Sequence, residues 1–466
     1  MSQPVSFLGR AEPLLGSHEA SAVDRGMRLM SASRAAVMDE LPWSEELRDR
    51  ARAIRLDALS NLDRLLDRFA DRVTEVGGIV HFAANAAEAN EIVAGILGAA
   101  SAKLVAKSKS MVSEEIELND HLQDLGFEVV ETDLGEFIAQ LAGDTPSHII
   151  APVLHMTRED VGRVFADKLG VPYTDDPVAL NQIAREHLRE VFLTADAGVS
   201  GVNMAVADSG SLVLVTNEGN GRLITTAPRV HIALMGMERI VSRWEDAAVI
   251  LEVLARSATG QRLSVYTNVI TGPRREADPD GPEELHVVII DNGRSDILGG
   301  PTAEILACIR CGACLNICPV FRTVGGHAYG AVYSGPVGSV VTPGLFGMEP
   351  WWDLPYASTL CGACEEVCPV RIQIPSMLLM LRERAAAEGR LPGWLSKGMA
   401  RYASTAAEPQ RWARAKRWAR RLSGLLSSRG WIRRFPGPGR GWTRYRDFPR
   451  PARESFTEWW RSNRGP

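Results

Sequence analysis

All seven cysteines of this 466-residue chain fall between Cys308 and Cys368. No other feature of the sequence restricts so tightly what it can fold into. The first group is Cys308-x-x-Cys311-x-x-Cys314-x-x-x-Cys318-Pro319, and the second is Cys361-x-x-Cys364-x-x-x-Cys368-Pro369. The first is the full bacterial ferredoxin run for [4Fe–4S] ligation, in which the fourth cysteine serves the other cluster. Two-residue spacers let three thiolates curl around one corner of a cube. The three-residue spacer and the proline turn the fourth thiolate outward. A zinc ribbon also uses paired C-x-x-C, but it has no use for a third close cysteine or for Cys-Pro. A disulfide framework fits less well still, because no secretory signal accompanies the run.

The second group departs from the pattern. Three positions before Cys361, where a further cysteine would stand, the chain has Ser358. If the groups interlock, Cys308, Cys311, Cys314 and Cys368 hold cluster 1, and Cys318, Cys361 and Cys364 hold cluster 2, with Ser358 near its fourth corner. A serine oxygen is a harder ligand than a thiolate and binds iron less readily. Cluster 2 is then either [4Fe–4S] with an oxygen or solvent ligand, or [3Fe–4S].

The length suggests two to four domains. The first residues, MSQPVSFLGRAEPLLG, lack a basic start followed by an apolar core, and no apolar run approaches the ~20 residues needed to span a bilayer. The expectation is a cytoplasmic protein. The net charge of −5 is unevenly spread: residues 401–466 hold 17 Lys and Arg against 4 Asp and Glu, which leaves −18 for the remainder. The same stretch holds six of the eleven tryptophans. Its WARAKRWARRLSGLL segment suits a basic amphipathic helix, and RRFPGPGRGWTRYRDFPRPA suits an extended chain. Three readings of this tail compete: nucleic-acid binding, contact with a membrane surface, and docking onto an acidic protein surface. Docking is favoured and nucleic acid is not expected, while peripheral membrane contact stays open.

Residues 20–75 carry apolar positions at helical spacing. From about Gly77 the pattern alternates between strands and helices, with strands expected at 79–83, 103–108, 127–133, 147–152 and 286–291. Residues 204–217 read as two strands joined at Asp208-Ser209-Gly210, and 230–236 as another. This order implies a mostly parallel sheet with helices on both faces. The 43 positions between Cys318 and Cys361 are long for a compact β-type ferredoxin and fit a helical two-cluster domain. GGHAYGAVYSGPVGSVVTPGLFGMEPWW reads as a Gly- and Pro-rich excursion over the clusters.

Taken together, VAKSKSMVSEEIELN (105–119), ETDLGEFIAQLAGDTPSHIIAP (131–152), ADSGSLVLVTNEGNGRLITTAPRVHIAL (207–234), both cysteine groups, GGHAYGAVYSGPVG (325–338) and SFTEWWR (455–461) resemble the lactate utilisation protein B family. That family is an iron–sulfur subunit of the bacterial system that oxidises L-lactate. The resemblance implies an N-terminal helical segment over 1–69, a lactate-utilisation α/β domain over 70–297, a helical ferredoxin domain over 298–392, and a basic, Trp-rich segment over 393–466. It implies a fold for the α/β domain similar to that of sugar-phosphate isomerases and CoA-transferase-like proteins. The partners it implies are a cysteine-rich subunit related to heterodisulfide reductases and a second protein with the lactate-utilisation domain.

Outside the cysteines, Lys107 and Lys109 end a strand and precede a helix start, where anions bind readily. Glu218, Gly219 and Asn220 form a turn after a strand, and Asp208 and His231 sit near strand ends. Such residues could hold an acidic substrate, although turn chemistry alone explains them at least as well. His327 reads as a loop hydrogen-bonder in preference to a ligand. No flavin or nicotinamide fingerprint is visible. The leading expectation is an electron-transfer subunit in the oxidation of L-lactate to pyruvate. The alternatives are an α/β domain that is itself an enzyme on a small carboxylate or sugar phosphate, and a redox-sensing nucleic-acid-binding protein.

Overall fold

The computed structural model describes residues 6–444 and 446–464. The chain forms two compact units, residues 1–385 and 386–466. In the first unit, ten strands follow in order: β1 (Ile79–Ala83), β2 (Leu104–Lys107), β3 (Glu128–Glu131), β4 (Ala197–Gly201), β5 (Met204–Val206), β6 (Ser211–Thr216), β7 (Val230–Gly236), β8 (Ile240–Val241), β9 (Tyr266–Ile270) and β10 (Glu284–Ile290). Six of them form an all-parallel sheet in the order β1-β10-β7-β4-β2-β3. A smaller mixed sheet has the order β8-β5-β6-β9.

The central strands are apolar on both faces, as a parallel sheet covered on both sides requires. Residues of β7 and β10 alternate between two cores with the period of two that a strand imposes. Val230, Ile232, Leu234, Val288 and Ile290 face the helices Ala86–Ala99, Met111–Glu115 and Leu118–Asp124. Ala233, Met235, Leu285, Val287 and Ile289 face the helix Leu62–Glu75 and the smaller sheet. The strand at 147–152 is not formed. Ser147, His148 and Ile149 are buried in a loop instead. His148 Nδ1 accepts from the N–H groups of Ile150 and Ala151, both at 3.2 Å, and its Nε2 stands 3.0 Å from Asn316 Oδ1. The apolar run packs this loop against the cysteine segment rather than pairing it into a sheet.

Three helices, His18–Asp39, Ser44–Ser60 and Leu62–Glu75, account for the expected N-terminal helical region. They are stitched to the cysteine segment by arginines. Arg34 donates to Val367 O at 2.7 Å, and Arg48 to Cys368 O at 3.0 and 3.2 Å. Arg55, which is 2% exposed, donates to Ile240 O, Leu306 O and Ala307 O. The cysteine segment is helical in short pieces, Ala313–Ile317, Pro319–Val324 and Ala363–Glu366, followed by Ile374–Ala387. The Gly- and Pro-rich excursion is packed structure. It contains the helix Gly335–Leu345, and Tyr329, Tyr333, Val337, Val340 and Val341 are fully buried.

The second unit contains the helices Gly393–Ala406, Pro409–Leu426 and Phe456–Arg464 and a short antiparallel pair, Trp431–Ile432 with Phe448–Pro449. The expected basic helix is present. The expected extended stretch is partly a 3-10 helix, Gly437–Arg444. Arg420 and Glu458 pair at 2.9 Å across the unit. Among the described residues, no helix is long and apolar enough to cross a membrane.

A buried ion network joins the sheet to the cysteine segment. Arg294, fully buried, donates to both oxygens of Glu115, at 2.8 and 2.7 Å, and to Glu238 Oε2 at 2.6 Å. Tyr333 OH donates to Glu115 Oε2 at 2.5 Å. Removing one partner of a buried ion pair leaves an uncompensated charge, which costs about 3–5 kcal/mol. Arg294→Met takes from Glu115 its bidentate cation and from Glu238 its nearest one, so anaerobic urea unfolding should show a loss of at least about 3 kcal/mol. A loss below about 1 kcal/mol, the range of surface pairs, would remove the network from its structural role.

Candidate functional site

The cysteine loops are shaped by left-handed residues. Arg310 (φ 58°) and Gly312 (φ 74°) lie within the first run, Leu360 (φ 54°) and Gly362 (φ 86°) bracket Cys361, and Arg371 (φ 48°) follows Cys368. Non-glycine residues rarely adopt this conformation and cluster at sites where the surroundings enforce it. The turns aim backbone N–H groups at sulfur: Arg310 N donates to Cys308 Sγ and Ile372 N to Cys368 Sγ, both at 3.3 Å.

Cys308, Cys311, Cys314 and Cys368 line one small cavity, walled by Ile149, Ile309, Val337, Ile372 and Ile374. Burial pushes the Cys311 and Cys314 thiols well above their usual range, and neighbouring sulfurs add to it, Cys368 and Cys308 on Cys311, and Cys308, Cys311, Cys364 and Cys368 on Cys314. Burial likewise pushes Cys368 up to about 11 and Cys364 up to about 12. Cys318 is raised by burial and then by Cys361, and Cys364 feels both Cys318 and Cys361. Cys361 is exposed, and a hydrogen bond with the Thr359 side chain lowers its pKa. Ser358 is half-buried; its Oγ accepts from Leu360 N at 3.1 Å, and its carbonyl accepts from Arg382 at 3.1 Å.

Buried thiols with raised pKa values are poor thiolates unless a cation takes the charge. Four sulfurs around one apolar-walled cavity, with N–H groups directed at two of them, fit an iron–sulfur cluster. The three of Cys318, Cys361 and Cys364 fit an incompletely thiolate-ligated one.

A larger cavity of about 410 Å³ opens beside Cys311 at the carboxyl ends of β2 and β4. This is the edge at which α/β sheets bind ligands. Its lining brings together Lys109, Asp133, Glu218, Asn220, Arg239 and Arg310. Asn220 Oδ1, Lys109 Nζ, and Arg310 Nε and Nη1 are buried there without a hydrogen-bond partner. Glu218 is exposed as a residue, yet its Oε2 is fixed by Leu134 N–H at 3.1 Å. Desolvation and then the Asp133 charge push its carboxyl up to about 7, with solvent at the mouth screening part of that effect. Lys107 lies deeper and pairs with Glu131 at 2.6 Å. Burial opposes its charge, but Glu131, Glu136 and Glu114 outweigh burial and raise its pKa. Burial, then Glu114, holds Glu136 well above the usual carboxylate range.

Of the other residues singled out in the sequence, Gly219 precedes the helix Asn220–Thr226. Asp208 pairs with Arg68 at 2.6 Å on the surface, away from the cavity lining. His231 is buried in the sheet with Ser200 Oγ at 2.8 Å, and burial and then His286 lower its pKa to about 3. His327 lies beside Glu19 and Asp144. The sequence reading missed Asp133, Arg239 and Arg310. Arg310 carries a signal in hindsight, being a cation placed between two cysteines of the ferredoxin run. Anaerobically isolated protein should contain about seven to eight iron atoms per chain with matching sulfide. Zinc on the cysteine sulfurs in place of iron, with no brown chromophore, would contradict this assignment.

Residues 66–290 match the LUD domain family, and residues 304–372 match the 4Fe-4S dicluster domain. Lactate utilization protein B of Bacillus licheniformis is 45% identical over 445 residues, which cover 95% of this chain and 93% of that protein. The protein of the same name from Geobacillus kaustophilus is 46% identical over 92% of this chain and 90% of its own length, and that from Bacillus subtilis is 45% identical over 94% and 92%. Likeness of this degree over nearly the whole length places the chain in the lactate utilization protein B family.

Proposed function

We propose that this chain is an electron-transfer subunit in the cytoplasmic oxidation of L-lactate to pyruvate, working with partner subunits. The observation that carries the reading is the cavity bounded by Cys308, Cys311, Cys314 and Cys368, in which residues from two distant runs converge. When bound, iron–sulfur clusters accept and release single electrons. We assign Cys308, Cys311, Cys314 and Cys368 to cluster 1, and Cys318, Cys361 and Cys364 to cluster 2, with Ser358 near its fourth position. Ile309, Val337 and Ile372 exclude water from the first set. Arg34 and Arg48 donate to the carbonyls of Val367 and Cys368 at the second run. Buried positive charge near a cluster favours the reduced state. The names of the relatives support the lactate assignment. The basic unit 386–466 supports docking to an acidic partner surface, with a cysteine-rich subunit and a second lactate-utilisation-domain protein as the proposed partners.

A second reading is favoured by one observation: the 410 Å³ cavity reaches Cys311 itself. In that reading the α/β domain binds a small carboxylate substrate directly. Oxidation of L-lactate to pyruvate releases two electrons and two protons, so the test is to add L-lactate anaerobically to the cluster-bearing chain. Under the electron-transfer reading the visible spectrum bleaches only once both partner proteins are present. Rapid bleaching by the chain alone would place the active site in this subunit. Separately, Ser358→Cys should give cluster 2 a conventional fourth thiolate, slow its loss in air and shift its potential. An unchanged paramagnetic spectrum would place Ser358 away from the cluster.

A further inference from the structure

Away from both the cysteines and the large cavity, three polar segments converge. Asp144 follows the helix Leu134–Ala142, whose C-cap Gly143 is left-handed. His155 closes the buried loop that begins at Ser147. His327 opens the 3-10 turn His327–Tyr329 of the cysteine segment. One ligand atom from each of Asp144, His155 and His327 lies within 4.8 Å of the others. His155 Nε2 stands 3.0 Å from Asp144 Oδ2. His327 Nε2 is 2.8 Å from Thr145 O and 3.8 Å from Asp144 Oδ1. A tetrahedral cation with bonds of about 2.0–2.1 Å separates its ligand atoms by about 3.3 Å, within the range of these spacings.

The opposite nitrogens show why the cluster is more than a set of hydrogen bonds. His155 Nδ1 is 2.7 Å from Ser147 Oγ, whose single proton is directed at Pro152 O, 3.1 Å away. With that bond made, Nδ1–H donates to Ser147, and Nε2 turns a lone pair toward the Asp144 carboxylate. His327 Nδ1 makes an ion-pair contact with Glu19 Oε1 at 2.8 Å, while its Nε2 faces only a carbonyl and a carboxylate. Every partner of His327 is an acceptor, yet a neutral imidazole has one N–H. With the one N–H placed on Nδ1 and donated to Glu19, the Nε2 side takes a cation, either a second proton or a metal. Metal-bound histidines are commonly fixed through the other nitrogen by a carboxylate or another polar group, as Glu19 and Ser147 do here.

The backbone is built to hold these pieces together. A Cβ on Gly326 would stand 1.7 Å from Ser147 O, so only glycine lets the turn carrying His327 reach the loop carrying His155. We propose that Asp144, His155 and His327, with the Thr145 carbonyl, form a site for one divalent first-row transition cation that pins the cysteine segment to the α/β body. Two nitrogen and two oxygen donors suit Zn²⁺ or Fe²⁺, and the two carboxylates of Asp144 and Glu19 balance its charge. Asp144 and His327, 36% and 22% exposed, leave the site open to solvent.

The test uses the full-length, cluster-bearing chain, isolated anaerobically, treated with a chelator that spares the clusters, and titrated with Zn²⁺. One zinc per chain should bind. Its X-ray absorption should show only nitrogen and oxygen neighbours at about 2.0–2.1 Å, with no sulfur at about 2.3 Å. Asp144→Asn and His327→Gln should weaken binding by more than about 100-fold. Glu19→Gln, which acts through His327, should weaken it by about 10-fold. Iron content, unaffected by these changes, separates this outcome from failure of the cluster assignment. No saturable zinc, zinc bound to sulfur, or equal affinity in Asp144→Asn and His327→Gln would each overturn the site. In the first case, His327 is an imidazolium latch closed by a proton alone.

Discussion

The structure turns on a guanidinium sealed away from water. Arg294 lies just beyond the end of β10 and grips Glu115 through two hydrogen bonds and Glu238 through a third. Burial alone would disfavour the charge on Glu238, but Arg294, Arg239 and Arg310 outweigh it and lower its pKa to about 2. Such a network is satisfied only in one arrangement, because each buried charge depends on the others. Its members come from a helix after β2, the turn between β7 and β8, the end of β10, and the cysteine segment through Tyr333 and Arg310. The network therefore fixes the register between the sheet's carboxyl edge and the first ferredoxin run. Arg310 also lies 4.4 Å from the Tyr333 ring centre, which holds its cationic head beside the cysteine loop.

That register puts two chemistries side by side. Cys311 belongs to both the small thiol-lined cavity and the large polar one. Lys109, Arg239 and Arg310 line the large cavity on the other side of that shared wall, so a change of charge on one side alters the electrostatic setting on the other. The N-terminal helices serve the same junction. Arg34, Arg48 and Arg55 donate to carbonyls that bracket the cysteine runs, where irregular backbone would otherwise bury unpaired acceptors. These contacts make the N-terminal helices part of one packed unit with the α/β body and the cysteines.

The parallel sheet was legible because β7 and β10 are unbroken apolar runs, and the cysteine chemistry because spacing alone carries it. Three strands were not. β4, with the sequence AGVSG, has no strong strand former except Val199. It pairs because Gly198 lets the helix Asn220–Thr226 approach so closely that a Cβ there would lie 1.8 Å from Ile224 O. That is a tertiary fact with no local signature. Residues 147–152 erred in the other direction, since their strand-like apolarity is used against the cysteine segment. In the large cavity, Lys109, Glu218 and Asn220 were visible as turn chemistry, but Arg239 and Arg310 become cavity residues only through the buried network. Asp144, His155 and His327 are 183 positions apart at the extremes, and only the close approach of Gly326 to Ser147 brings them together.

Central to the account is the exchange of ligands between the two cysteine runs, with Cys368 joining the first three sulfurs and Cys318 joining Cys361 and Cys364. Electron paramagnetic resonance of the dithionite-reduced, full-length chain tests it most directly, comparing Cys314→Ala, Cys368→Ala and Cys361→Ala. Crossed ligation predicts that Cys314→Ala and Cys368→Ala remove or alter the same signal, while Cys361→Ala leaves that signal and affects the other. If Cys368→Ala and Cys361→Ala act on one signal and Cys314→Ala on a different one, each run holds its own cluster and the account is wrong.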